Sequence, residues 1–140
     1  MKRILALILA LLSAFAVFTS CVTTDTEPDP TATELLWEKA TYKEDKTLGE
    51  GEKTVTVSIE ALDKKITLTV KTNSTNLGDA LYGLGLVNDP SFFDVANGIK
   101  ADWDADQAWW AFYIGDTMAP YGINDEAISN GNSYRLVYTK

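Results

Sequence analysis

The fold is decided by two short stretches in the middle of the chain, TVTVSIE at residues 54–60 and ITLTVK at residues 66–71. Both alternate apolar and polar side chains, and this period of two is typical of a strand that buries one face. The polar stop between them, Asp-Lys-Lys at residues 63–65, is short enough to form a turn. The two stretches therefore predict a β-hairpin.

A helix is predicted after the hairpin. Asn76 can cap it, and Asp79 stands three residues later, where an acidic residue supports a helix start. Gly78 and Gly83 each cost about 1 kcal/mol relative to alanine, so the helix must be held by packing on the sheet. The apolar residues at helical spacing, which end before Gly85, are Leu77, Ala80, Leu81 and Leu84.

The remaining apolar segments are short and separated by turn residues. Further strands are predicted at residues 40–48, 92–96, 99–103, 109–114 and 133–139, with turns at residues 49–51, 97–98 and 115–116. Residues 35–140 are therefore expected to form an α+β domain of the β-grasp type. Its sheet is mainly antiparallel, and one helix packs on it.

The N-terminal segment has the features of a secretory signal. Lys2 and Arg3 give it a positive start, and residues 4–17 are an uncharged apolar run. This run is shorter than the about 20 residues that a membrane span needs. It ends in Phe-Thr-Ser-Cys at residues 18–21, the arrangement of a lipoprotein-processing site. We predict cleavage before Cys21, which makes residues 1–20 a lipoprotein signal peptide.

Lipidation would account for Cys21, the only cysteine of the chain. A diacylated cysteine anchors stably, whereas a single acyl chain binds a membrane only marginally. Residues 21–34 offer almost nothing to bury and predict a disordered, flexible tether. The mature protein is thus expected to be exported and anchored by lipid to the outer face of the cell membrane. An ordinary signal peptide with an incidental cysteine, or an uncleaved anchor helix, are the alternatives.

Charge and composition exclude several classes of function. The formal charge of the chain is −8, and removal of residues 1–20, which hold two basic and no acidic residues, makes it −10. Such a surface repels nucleic acid, so no nucleic-acid partner is expected. The chain has no histidine, which excludes Ser-His and Cys-His catalysis and histidine ligation of a metal. No catalytic set of residues is recognisable, and the protein is expected not to be an enzyme.

Several sequence blocks between residues 49 and 140 occur in an order that is typical of one known family. These blocks are TVKT at 69–72, LGDAL at 77–81, NGIKAD at 97–102, WWAFYI at 109–114, YGI at 121–123 and YRLVY at 134–138, preceded by Gly131. They resemble a domain of unknown function that is found in many Gram-positive surface proteins and lipoproteins. That family is related to the C-terminal β-domain of the vitamin B12 carriers transcobalamin and intrinsic factor. The resemblance implies a ligand-binding β-grasp domain, with a corrinoid as the candidate ligand.

Aromatic and soft side chains are concentrated between residues 103 and 121. Alternation along the strand at 109–114 places Trp110 on one face, which we interpret as core, and Trp109 on the other. The second face is either an open aromatic platform for a ligand or partner, or a surface covered by neighbouring segments. The candidate ligand-binding residues are Trp103, Trp109, Tyr113, Met118 and Tyr121.

Asp102, Asp104 and Asp106 alternate as in the opening of a calcium-binding loop. The rest of such a loop is missing, because Gln107 stands where glycine is needed and Tyr113 where a bidentate glutamate is needed. The three aspartates are therefore either a candidate calcium site or a solvated acidic turn.

Three functional hypotheses follow from the sequence. The favoured one is a surface-tethered, non-enzymatic module that binds a small molecule, and the resemblance suggests a corrinoid stacked on the aromatic strand. The second is a structural or interaction module that meets another surface protein, the cell wall or an extracellular polymer. Hydrolysis of a surface glycan is the third. Exposure of the Trp109 face is the observation that separates a binding platform from a covered core.

Overall fold

The computed structural model describes residues 30–140. The predicted signal peptide, the lipidation site Cys21 and most of the predicted tether lie outside the described residues. Within them, no helix is long and apolar enough to cross a bilayer.

A six-stranded mixed sheet forms the body of the domain. The bounds of the strands are β1 Lys46–Gly49, β2 Lys53–Ala61, β3 Lys64–Thr72, β4 Val95–Ala96, β5 Ile99–Lys100, β6 Trp109–Ile114, β7 Thr117–Met118 and β8 Ser133–Thr139. The strands of the large sheet lie in the order β1-β3-β2-β8-β6-β7, and β4 and β5 form a separate two-stranded ribbon.

Strands β2 and β3 form the hairpin that the sequence predicts. Their antiparallel register pairs Val57 with Leu68 and Ile59 with Ile66, and all four side chains are buried. Because paired residues point to the same face, the alternation in each strand builds one continuous apolar surface. The hairpin prediction is confirmed.

The topology is that of a β-grasp. Strand β8 runs parallel to β2 and antiparallel to β6, so the first strand of the hairpin and the last strand of the sheet lie side by side at its centre. Most of the pairings are antiparallel, and β1 adds a second parallel pair at the edge, on β3. The predicted α+β class with a mainly antiparallel sheet is confirmed.

Within residues 30–140, three short α-helices accompany the sheet: α1 Ala32–Trp37, α2 Leu77–Gly83 and α3 Trp103–Asp106, with a 3₁₀ helix at Ile123–Asp125. Helix α1 was not predicted, and its first three residues fall within the segment predicted as tether. Thr31 caps it in a reciprocal arrangement with Glu34, and the Trp37 indole Nε1 donates to Ala61 O at 3.0 Å. This end of the chain is therefore attached to the hairpin.

Helix α2 begins as the sequence predicts, because Asn76 Oδ1 accepts from Asp79 N at 2.8 Å. Its buried side chains belong to the same hydrophobic core as those of the sheet. Packing explains why a glycine stands at position 78 within the helix. A Cβ there would collide with Pro90 O and would lie 3.0 Å from Asn124 Cα. The glycine thus lets the loop around Pro90 and the 3₁₀ helix approach α2 closely, and its cost to the helix is offset by this packing.

Several predicted strands are shorter in the structure. Residues 92–96 and 99–103 contribute only the two-residue strands β4 and β5, joined by the predicted turn at Asn97 and Gly98. The predicted edge strand at 40–48 forms only from Lys46. Half of the segment between β5 and β6, which includes the aspartates of the predicted acidic turn, forms the single helical turn α3.

Candidate functional site

In the described part of the chain, large apolar side chains are exposed mainly in one segment. Five of the eight exposed large hydrophobic residues in the described part of the chain lie between residues 92 and 121. Scattered exposed apolar residues are normal on a protein surface, but a cluster marks a site of contact. These five residues are Phe92 at 94% exposure, Trp103 at 62%, Trp109 at 41%, Met118 at 49% and Tyr121 at 43%.

The cluster surrounds two adjoining cavities. The larger has a volume of about 740 Å³, and its lining residues include Trp103, Trp109, Asp94, Asp102 and Asp104; we call it the acidic cavity. The smaller, of about 230 Å³, is lined by Phe92, Met118, Tyr121 and other apolar residues; we call it the apolar cavity. Both share the walls formed by Phe93, Trp109 and Trp110.

The two cavities together form what we call the aromatic groove. Its volume is in the range of small-molecule sites. Trp109, at the start of β6, stands between its two parts. Its neighbour Trp110 is buried, and the Trp110 indole Nε1 donates to Ile99 O at 3.1 Å. Of these two adjacent tryptophans, Trp110 is therefore buried in the core and Trp109 is exposed, as the alternation in the sequence predicts.

The loop that carries Phe92 and Phe93 is held by side-chain caps. Asp89 Oδ1 accepts from Ser91 N at 2.7 Å and from Phe92 N at 2.9 Å. These backbone hydrogen bonds lower the pKa of Asp89 from its ordinary value, so the carboxylate stays charged and keeps the turn. Asn88 and Asp94 bind each other across the base of the loop, with Asn88 Nδ2 donating to Asp94 Oδ1 at 2.6 Å. The two phenylalanines are thus presented by a closed loop.

Helix α3 places Trp103 at the rim of the acidic cavity. Asp102 caps the helix, since its Oδ1 accepts from Ala105 N at 3.0 Å, and Gln107 ends it in the left-handed region at φ +55°. The alternate spacing of the three aspartates therefore belongs to a capped helical turn. Asp106 lines a different cavity from Asp102 and Asp104, and residues 30–140 contain no group of three or more His, Cys, Asp or Glu placed to hold a metal ion.

A buried carboxylate fixes Tyr121 at the wall of the apolar cavity. Glu126 is 6% exposed and accepts from Tyr121 Oη at 2.7 Å and from Tyr134 Oη at 3.1 Å. Asn132 Nδ2 donates to the same Tyr134 oxygen at 2.8 Å. The hydrogen bond to Glu126 raises the pKa of Tyr121, and burial raises that of Tyr134 to about 12. Both phenols therefore remain protonated donors at neutral pH.

Four of the five predicted ligand-binding residues line the groove, and the fifth does not. Trp103 lies in the acidic cavity, Met118 and Tyr121 in the apolar cavity, and Trp109 in both. The Arg135 guanidinium lies over the Tyr113 ring, with Arg135 Cζ 4.9 Å from the ring centre. Tyr113 lines neither cavity. Arg135 also pairs with Glu60 at 2.8 Å, so this part of the β6 surface is covered by a charge network.

Sequence reasoning missed Phe92 and Phe93, which it assigned to a strand. A usable signal was present, because two adjacent aromatic residues follow Asn-Asp-Pro-Ser at residues 88–91. Turn residues followed by adjacent rings indicate a loop that presents apolar side chains rather than a strand that buries alternate ones.

Comparison with known proteins supports the fold. The chain matches no protein-family model and no curated protein. It resembles the crystal structure of a candidate metal-binding protein from Ruminococcus gnavus, with 24% sequence identity and a TM-score of 0.59 over 64% of this chain and 98% of that chain. It also resembles haptocorrin in complex with Cbi, with 16% identity and a TM-score of 0.45 over 63% of this chain. The matched part is 25% of the haptocorrin chain, and at these identities the likeness concerns the fold alone.

Proposed function

We propose that this protein is a non-enzymatic ligand-binding module, anchored by lipid at Cys21 to the outer face of the cell membrane, that binds a small molecule in the aromatic groove. The observation that carries the proposal is the clustering of exposed rings around two connected cavities. Exposing large apolar surface to water is unfavourable, and a ligand that covers these rings recovers that free energy.

The build of the groove supports binding by stacking. Trp109 lines both cavities, and the capped loop at residues 88–94 fixes the backbone that carries Phe92 and Phe93 into the lining of the same groove. A backbone that is ordered before binding loses little conformational freedom on contact, which favours affinity. Met118 adds a flexible, polarizable side chain that adapts to the outline of a ligand.

A corrinoid is the first ligand to test, because the motifs at residues 69–138 resemble the B12-carrier domain. A corrinoid is broad and flat, and the aromatic groove provides apolar walls for one of its faces. The chain has no histidine, so binding through apolar contacts is the mode proposed here, without a histidine on the cobalt.

The test is titration of the full chain with cyanocobalamin and dicyanocobinamide, followed by tryptophan emission and by calorimetry. We expect saturable binding that Trp109→Ala weakens at least about tenfold, the loss expected when a stacked aromatic contact worth about 1.4 kcal/mol is removed. Tyr82→Ala is the matched control, since Tyr82 is 54% exposed on α2 and lines neither cavity.

Two results would count against the proposal. If corrinoids do not bind but another small molecule does so in a manner that depends on Trp109, the corrinoid assignment falls and the ligand-binding role stands. If no small molecule binds and a surface protein or polymer is retained through Phe92 and Trp109, the groove is an interaction surface. The anchor is tested separately by fatty-acid labelling, which Cys21→Ala should abolish.

A further inference from the structure

We infer that the ligand of the aromatic groove is an organic cation, with its positive charge in the acidic cavity and its apolar body on Trp109. This inference rests on the ligand-binding role in the proposed function, and it assigns the ligand of the same site to a chemical class other than the corrinoid that the resemblance suggests. It is carried by the combination of carboxylates and open indole rings on the walls of one cavity.

The acidic cavity has a net negative wall. Asp94, Asp102 and Asp104 line it, and Lys100 is the one basic residue among its lining residues. Lys100 Nζ lies 3.9 Å from Asp102 Oδ2 and is well exposed, so it neutralises at most one of the three carboxylates. Asp94 and Asp104 take part in none of the ion pairs within residues 30–140. A cation entering this cavity gains electrostatic energy, whereas an anion is repelled.

The ring faces on the same cavity select among cations. Trp103 and Trp109 are both exposed and both line the space that the carboxylates line. The face of an indole attracts a cation, and tryptophan is the most effective ring for this contact. Metal ions prefer converging oxygen ligands, and no such group of three occurs in the described residues. An alkylammonium or an N-alkylated heteroaromatic cation uses both the carboxylates and the rings.

The arrangement of the charges is fixed by the fold. Asp102 lines the cavity and caps α3, and the hydrogen bond that its carboxylate accepts from Ala105 N holds it at the start of the helix. Asp94 is held by Asn88 at the base of the aromatic loop. The apolar cavity continues on the other side of Trp109. The groove therefore suits an elongated ligand that is charged at one end and apolar at the other.

The test compares N-methylacridinium with acridine, at a pH at which acridine is uncharged. Both probes are flat and of nearly equal size, and they differ in charge. The full chain is held in zwitterionic nanodiscs at about 0.15 M salt, which screens the overall negative charge of the protein beyond about 8 Å, and empty nanodiscs serve as the blank. We expect the cation to bind at least about tenfold more tightly than acridine, by quenching of tryptophan emission.

The variant Asp102→Asn/Asp104→Asn should remove this preference, leaving the two probes within about twofold of each other, and should leave acridine binding unchanged. Asparagine keeps the helix cap, so the change is one of charge. The matched control is Glu44→Gln/Glu50→Gln, which alters the net charge equally at exposed sites flanking β1, on the opposite edge of the sheet. It should retain the preference.

The outcomes separate the two proposals. If both probes bind equally, or if the control variant loses the preference as fully as the aspartate variant does, the cation assignment is overturned while binding in the groove stands. If neither probe binds, the cation assignment is overturned, whether or not a corrinoid binds. The proposed function falls with it only if no small molecule binds in a manner that depends on Trp109.

Discussion

The half of the sheet that contains the β2–β3 hairpin and the half that contains β6 and β7 differ in how much apolar surface they expose. In the hairpin β2–β3 the apolar side chains of both strands point to one face and are buried, and the residues between them are mostly polar. At β6 and β7, on the other side of β8, rings and a methionine remain open beside two cavities. The comparison shows that the hairpin supplies stability and that the opposite side keeps apolar surface available for contact. Substitutions in the two regions should therefore have different consequences.

The largest effect is expected for Leu68→Ala in the hairpin. Leu68 is fully buried and stands opposite Val57. Truncation removes buried methyl groups and leaves a cavity, so the free energy of unfolding should fall by about 3 kcal/mol, measured by urea denaturation. Thr67→Ala on the other face of the same strand is the control and should cost much less. Similar losses at the two positions would contradict the division of the hairpin into a core face and an outer face.

An intermediate effect is expected for Glu126→Leu. The native Glu126 joins the groove to the core, because it accepts hydrogen bonds from Tyr121 and from the buried Tyr134. Leucine leaves the hydroxyls of Tyr121 and Tyr134 without their acceptor, and the second of these is buried. The cost should be about 2 kcal/mol in the free energy of unfolding, because the partners keep their polar groups. Glu126→Gln retains one acceptor oxygen and should cost about half as much. Equal losses in the two variants would show that packing, rather than hydrogen bonding, is what Glu126 contributes.

The smallest effect is expected for Trp103→Ala in the groove. The side chain is mostly exposed on a single helical turn. The loss in the free energy of unfolding should therefore stay below about 1 kcal/mol, as for most surface substitutions. Thermal denaturation of Trp103→Ala and Leu68→Ala under the same conditions measures the difference between their losses of stability. A loss as large as that of Leu68→Ala would mean that the groove is part of the core and would remove the contrast between the two sides.

The sequence predicts the hairpin and α2, because both depend on residues that are close together in the chain. The hairpin follows from alternation at residues 54–60 and 66–71, and α2 follows from the cap at Asn76. Helix α3 was not predicted, because alternate aspartates fit an acidic turn or a calcium loop as well as a capped helix. Its end depends on Gln107 in the left-handed region, which residues other than glycine rarely adopt.

The groove could be predicted only in part, because it depends on contacts between distant segments. The sequence predicts the cluster of Trp103, Trp109, Met118 and Tyr121, but the groove is also lined by Phe92 and Phe93 from a separate loop. That loop is placed by Gly78, whose missing side chain lets α2 approach Pro90. Tyr113 alternates correctly for the open face, yet Arg135 of the neighbouring strand covers it. Period and spacing indicate the face of a strand, and only tertiary packing decides what covers that face.

The central position of β8 has a consequence for the order in which the domain assembles. The hairpin joins neighbouring segments and can pair early, since it closes only a short loop. β6 reaches β2 only through β8, the last strand of the sheet in chain order. Until residues 133–139 pair with both β2 and β6, the hairpin and β6 do not belong to one sheet. Completion of the core, and with it the aromatic groove, therefore waits for a late long-range pairing, which makes folding slow relative to a helical protein of the same size.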